Sequence, residues 1–166
     1  LDYLAKMELF SVRCVTDSAT FAATPVPTIT KEWSWDDDKE IYFNKSIQYG
    51  TLTDKRDGKT YKTVTIGEGV MKQIWMAENL NYSDSAKTPY LAGHSWCYDN
   101  IAENCELAGR LYSWTAAVDS VALANDKHIT CGNGVSCDVP YVTQGVCPDG
   151  WYLPSEADWE KLEVII

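Results

Sequence analysis

The sequence predicts an α+β fold that is loop-rich and stapled by disulfides. Three observations carry this. Short alternating apolar segments fill the first half, two segments with apolar residues at helical spacing follow, and 6 cysteines are spread through 166 residues without a Cys-x-x-Cys pair. Strands first and helices later is the order of an α+β domain, not of a βαβ array. A chain of this length suggests one domain, with room for an appendage.

Each element has its own reason. Phe10, Val12 and Cys14 alternate with Ser11 and Arg13, which predicts an extended strand. Residues 17–31 are small and Thr-rich and include Pro25 and Pro27, the composition of a semi-rigid extended linker. The acidic-aromatic stretch Trp33-Ser-Trp35-Asp-Asp-Asp38 comes next, with a strand expected at 41–43. Asp57-Gly58 predicts a hairpin turn between strands at 51–53 and 60–66, and Gly67-Glu-Gly69 leads a second hairpin into 70–76. Residues 81–100 read as a long polar loop. The spacing predicts a helix over 104–118, with Leu107, Leu111, Trp114 and Val118 on one stripe and Gly109 weakening it. Residues 119–146 are loop-dominated. Pro148-Asp-Gly150 is a tight-turn tripeptide. Ser155, followed three residues on by Asp158, reads as a helix N-cap with a capping-box-like partner, and Trp159, Leu162 and Ile166 then face a core. Trp75, Trp114, Trp151 and Trp159 are all expected inside.

Charge and cysteine usage exclude several classes. A net charge of −10 lacks the basic footprint of a nucleic-acid binder and disfavours docking on anionic lipid. No apolar run approaches the ~18 residues that a membrane-spanning helix needs, so no direct insertion is expected. An even cysteine number points to an oxidising compartment, and hence to an extracellular or cell-surface location. His94 and His128 stand apart from the thiols, which argues against a zinc site. Cys97 and Cys105 flank a short loop, and Cys131 and Cys137 flank the tight Gly132-Asn-Gly134 turn, so each pair is within reach of a bond. Six cysteines allow many pairings, however, and spacing alone does not choose among them.

Trp33 and Trp35 alternate in an extended segment and would share one face. Coplanar exposed indoles stack on sugar rings, because the electron-rich ring face attracts C–H groups; the plainer reading has both covering a core edge. His94, Trp96 and Tyr98, with Asp99, form a candidate ligand rim on a loop. Asp36, Asp37 and Asp38 offer hard oxygen ligands for Ca²⁺ but lack the spacing and glycine of a calcium loop, so a solvated acidic turn is the plainer reading and no metal or other cofactor is expected. No Gly-x-Ser-x-Gly elbow or paired nucleophile and histidine occurs, which predicts a chain without catalytic residues. Asn44-Lys-Ser46 and Asn81-Tyr-Ser83 match the glycosylation triplet.

Five strings stand in a recognisable order: Gly58-Lys-Thr-Tyr-Lys-Thr-Val-Thr-Ile-Gly67, Gln73-Ile-Trp-Met-Ala-Glu-Asn-Leu-Asn-Tyr82, Ser95-Trp-Cys-Tyr-Asp-Asn100, Gly109-Arg-Leu-Tyr-Ser-Trp-Thr-Ala-Ala117 and Cys147-Pro-Asp-Gly-Trp-Tyr-Leu-Pro-Ser155. Together they make residues 51–166 resemble the major paralogous domain of Fibrobacter (FISUMP). The resemblance implies a C-type-lectin-like fold that would continue beyond the Trp159 helix, so the domain here looks incomplete. Phe10-Ser-Val-Arg-Cys-Val15 resembles the end of such a domain. On that basis residues 1–17 close one domain, 18–50 form the linker and acidic-aromatic segment, and 51–166 open another, as in a tandem array or a processed chain. A first residue of Leu instead of Met agrees with a fragment. The resemblance pairs Cys14 with Cys147, whereas the tandem reading puts them in different repeats. It also places residues 11–15 beside an opening strand, near 60–66.

The function expected from these readings is a secreted or cell-surface binding or adhesion module without catalysis. Its partners would be polysaccharide or other surface proteins. The alternative is a structural subunit or repeat of an extracellular fibre, assembled by strand addition with self-association through residues 1–17.

Overall fold

The computed structural model describes residues 9–16, 32–131 and 136–165. The expected linker over 17–31, the Gly132-Asn-Gly134 turn and Ile166 lie outside the described residues. The strands are β1 (Leu9–Ser11), β2 (Val15–Thr16), β3 (Gly50–Thr53), β4 (Thr60–Ile66), β5 (Gln73–Met76), β6 (Ser95–Trp96) and β7 (Leu111–Ser113). The helices are α1 (Ala102–Ala108), α2 (Trp114–Ala117), α3 (Ser120–Asn125) and α4 (Glu156–Ile165). The strands form two antiparallel sheets, one in the order β2-β5-β4-β3 and one in the order β1-β7-β6.

One short run therefore serves both sheets. β1 pairs with β7, Leu9 opposite Ser113, and β2 pairs with β5, Val15 opposite Trp75. Between them the Val12 and Cys14 carbonyls accept from the Leu80 and Met76 amides. Val12 and Cys14 are buried while Ser11 and Arg13 are exposed, as the alternation predicts. The neighbouring strand is β5, which pairs on its other side with Thr60–Ile66, so the run lies beside an opening strand as expected. Trp75 and Val15 share a buried cluster with Tyr152, and this burial selects the β5 register.

The β3–β4 hairpin turns through Asp57-Gly58 as expected. Its hidden member is Asp54, fully buried, whose carboxylate accepts from the Arg56 backbone N–H at 3.0 Å, from Nε at 2.9 Å and from Nη2 at 2.7 Å. A buried carboxylate needs such partners. Burial pulls the Arg56 pKa down, and the hydrogen bond and charge of Asp54 outweigh that, leaving it raised. The guanidinium also lies 3.8 Å over the Tyr82 ring. The second hairpin is shorter than predicted, because Gly69–Met71 make a 3-10 turn and β5 begins only at Gln73.

Three expectations are corrected. The helix over 104–118 is broken. Gly109, at φ +75°, ends α1, and a Cβ there would stand 2.6 Å from the Asn79 Cβ. The chain then runs extended as β7, and Ser113 caps the short α2 by accepting from the Ala116 N–H at 3.3 Å. Residues 41–43 are not a strand: Lys39–Tyr42 form a 3-10 turn capped by Asp38, which accepts from the Glu40 N–H. Trp114 and Trp159 are not core but 44% and 48% exposed. In α2, Ala116 and Ala117 face inward; in α4 the inward place belongs to Asp158. That carboxylate accepts from Gln73 Nε2 at 3.0 Å and from Ser155 N at 2.8 Å and Oγ at 2.6 Å, while Trp75 Nε1 donates to Gln73 Oε1. The capping box read from the sequence is thus the outer end of a buried polar chain that ties α4 to β5.

The main core gathers Val12, Cys14, Tyr61, Met76, Leu80, Tyr82, Leu91, Tyr112 and Val146. Its disulfide, Cys14–Cys147, joins the β1–β2 run to the Cys-Pro turn; Cys97–Cys105 and Cys131–Cys137 close local loops. Among the described residues no helix is long and apolar enough to cross a membrane.

The core phenols give a pH prediction. Burial raises the pKa of Tyr61 and of Tyr112 far above the ordinary value, and that of Tyr90 to about 12. A raised folded pKa contributes stability that is complete below the unfolded value of ~10 and is lost as pH rises through the folded one. Stability should hold through neutral pH and decline above about pH 10, with Tyr61 and Tyr112 silent in a 295 nm titration until the chain unfolds. Full phenolate absorbance from a still-folded chain would contradict this burial.

Candidate ligand-binding face

The acidic-aromatic segment is fixed to the sheet by charge. Lys39, in the 3-10 turn, bridges to Glu78 just after β5 at 2.6 Å, and Lys62 of β4 reaches back to Glu40. Glu78 also accepts from the Lys62 backbone N–H at 2.6 Å, and the Lys62 ammonium lies 3.9 Å over the Phe43 ring. Exposed ion pairs contribute little singly; a linked set across two elements fixes a position more than it adds stability.

On this base stands a row of four rings. Trp33 stacks on Tyr42 with centroids 4.5 Å apart, Trp33 meets Trp35 edge-on at 5.5 Å, and Trp35 stacks on Tyr98 at 4.9 Å. Trp33, Trp35 and Tyr98 are 50%, 39% and 48% exposed. The expected coplanar pair is corrected: the two indoles stand at 89° to each other. Each instead lies on a tyrosine, so every indole has one face covered.

Asp36, Asp37 and Asp38 serve this turn. Asp37 accepts from the Tyr42 hydroxyl at 2.7 Å, Asp38 caps, and Asp36 is exposed. Among the described residues no group of three or more His, Cys, Asp or Glu side chains is placed to hold a metal ion. Of the predicted rim, Tyr98 joins the row. Its loop is set by the Cys97–Cys105 bond and by left-handed backbone at Asp99 and Asn100, residue types that tolerate it. His94 and Trp96 do not join it: His94 is exposed and its carbonyl accepts from the Ser113 N–H, and Trp96 pairs with Leu111 in the sheet.

Beside the row opens a cleft of about 410 Å³, lined by Trp33 and Tyr42 and by Lys39, Lys59, Asn81 and Glu106 among others. Asn81 is 5% exposed; its Nδ2 donates to Glu106 at 3.1 Å, and its Oδ1 has no partner among the described residues. The Nδ2 that a glycan would need is thus already bonded to Glu106. Reasoning from sequence missed Tyr42 and the whole cleft. The usable signal for Tyr42 was local: an Asp38 cap before Glu40 marks a turn and returns the next aromatic toward Trp33.

These features define an α+β module, stapled by three disulfides, that carries an exposed aromatic row on an ion-paired turn. The chain belongs to the Fibrobacter succinogenes major domain family, whose profile matches residues 64–166. Comparison with curated proteins and with solved structures returns no match. The row and turn at 33–42 precede the matched stretch, whereas Tyr98, Asn81 and Glu106 fall inside it.

Proposed function

We propose that the chain is a non-catalytic binding module of the cell exterior that holds polysaccharide on the ring row Tyr42–Trp33–Trp35–Tyr98. The observation that carries this reading is the half-exposure of three rings already ordered against one another. A ring immobilised before binding loses little further entropy when a sugar stacks on it. Three disulfides support export, and they accord with the C-type-lectin-like fold that belongs to the same proposal. Assembly into a fibre by strand addition gains no specific support, since β1 and β2 find partners within the chain.

The test is retardation in gels containing soluble glucans, mannans or xylans. Wild type should be retarded, and Trp33→Ala or Trp35→Ala should weaken binding about tenfold each, for the roughly 1–3 kcal/mol that an aromatic stacking contact supplies. Equal mobility of wild type and both variants in every gel would end this reading.

A further inference from the structure

The cleft beside the ring row extends the polysaccharide reading and depends on it. We propose that this cleft is a subsite for one uncharged, hydroxyl-rich saccharide unit, held by Asn81, Glu106 and Lys59 while Trp33 and Tyr42 meet the ring. Its volume, about 410 Å³, lies at the small end of the ~300–1,000 Å³ usual for small-molecule sites, which suits one or two sugar rings.

The polar lining interleaves donors and acceptors. Lys59 Nζ donates to the Asn81 carbonyl at 2.8 Å and stands 3.7 Å from Glu106; Lys39 is bridged to Glu78; Arg13 Nε donates to Asn79 at 2.9 Å. A hydroxyl is donor and acceptor at once and fits such a mixture. Lys39 and Lys59 already face Glu78 and Glu106, and Arg13 is held by Asn79, so a uronate or sulfate entering the cleft would have to break one of these pairs and meet the carboxylate it released.

Asn81 supplies the independent pointer. Among the described residues its buried Oδ1 finds no donor, and a buried unpaired acceptor is costly unless something fills it. The Glu106 side chain that accepts from Nδ2 is 73% exposed, so it turns to accept from a ligand hydroxyl at little cost. A ligand hydroxyl entering there donates to Asn81 Oδ1 and accepts from Lys59.

Titration calorimetry separates the claims. Neutral gluco-, manno- and xylo-oligosaccharides are compared with oligogalacturonate on wild type, Glu106→Ala, Asn81→Leu and Trp35→Ala, each first shown to be folded by its melting curve. Glu106→Ala removes an exposed carboxylate and keeps the test valid if Asn81→Leu fails to fold. The expected result is binding of at least one neutral oligosaccharide, about tenfold weaker with Glu106→Ala, as loss of a charged hydrogen-bond partner implies, and little or no binding of oligogalacturonate. If Trp35→Ala abolishes binding while Glu106→Ala leaves it unchanged, the ring row stands and the subsite falls. Oligogalacturonate binding as tightly as the neutral probes would overturn the uncharged specificity. Failure of every oligosaccharide would overturn both readings.

Discussion

Replacing both Cys14 and Cys147 with serine should lower stability by about 5 kcal/mol. Their sequence separation is 133, and loop-closure entropy in the unfolded chain scales with the logarithm of that length. The same relation gives only about 2–3 kcal/mol for Cys97–Cys105 and Cys131–Cys137, separated by 8 and 6 residues. The long bond has a second role, because Cys14 sits between the strands that enter the two sheets. Losing it frees β1 and β2 together and exposes the edges of β7 and β5. Urea unfolding of the three double-serine variants checks this. Equal losses for all three would show that the β1–β2 run is held by pairing alone.

Trp75→Ala should cost roughly 3–5 kcal/mol, as truncation of a large buried aromatic does, whereas Trp114→Ala should cost about 1 kcal/mol or less. Trp75 is 4% exposed, packs with Val15 and Tyr152, and donates to the Gln73–Asp158 chain that holds α4. Its removal leaves a cavity and an unpaired Gln73 oxygen. Trp159 stands between the two cases: it is 48% exposed, with its ring centroid 4.7 Å from that of Trp75. It should cost more than Trp114 and less than Trp75. Thermal melts of the three variants give the order directly, and a Trp114→Ala loss matching that of Trp75→Ala would mean that α2 turns its other face inward.

That contrast shows where the sequence was readable. Local chemistry was: the Asp57-Gly58 turn, the Ser155–Asp158 cap and the short cysteine loops depend on neighbouring residues, and each appears in the structure. Periodicity misled where a glycine intervened, since Leu107, Leu111 and Trp114 have helical spacing only on paper: Gly109 ends α1, which leaves Leu111 in β7 and Trp114 in α2. Tryptophan identity also misled, because an indole is buried by what surrounds it and Asp158 took the inward place beside Trp159. The candidate site was legible in part. Trp33, Trp35 and Tyr98 are legible as candidates, but the stacking of Trp35 on Tyr98 needs a contact across a long stretch of chain. The cleft needs more still, since Asn81 and Glu106 come together only when α1 packs near the end of β5.

The central claim, that sugar lies on this ring row, is tested most directly by following the indole N–H resonances of a ¹⁵N-labelled chain during titration with a neutral polysaccharide that retards the protein in gels. The signals of Trp33 and Trp35 should move in a saturable way while that of Trp75, bonded to Gln73, stays fixed. Shifts at Trp114 and Trp159 with none at Trp33 and Trp35 would place the ligand on another face and contradict the account.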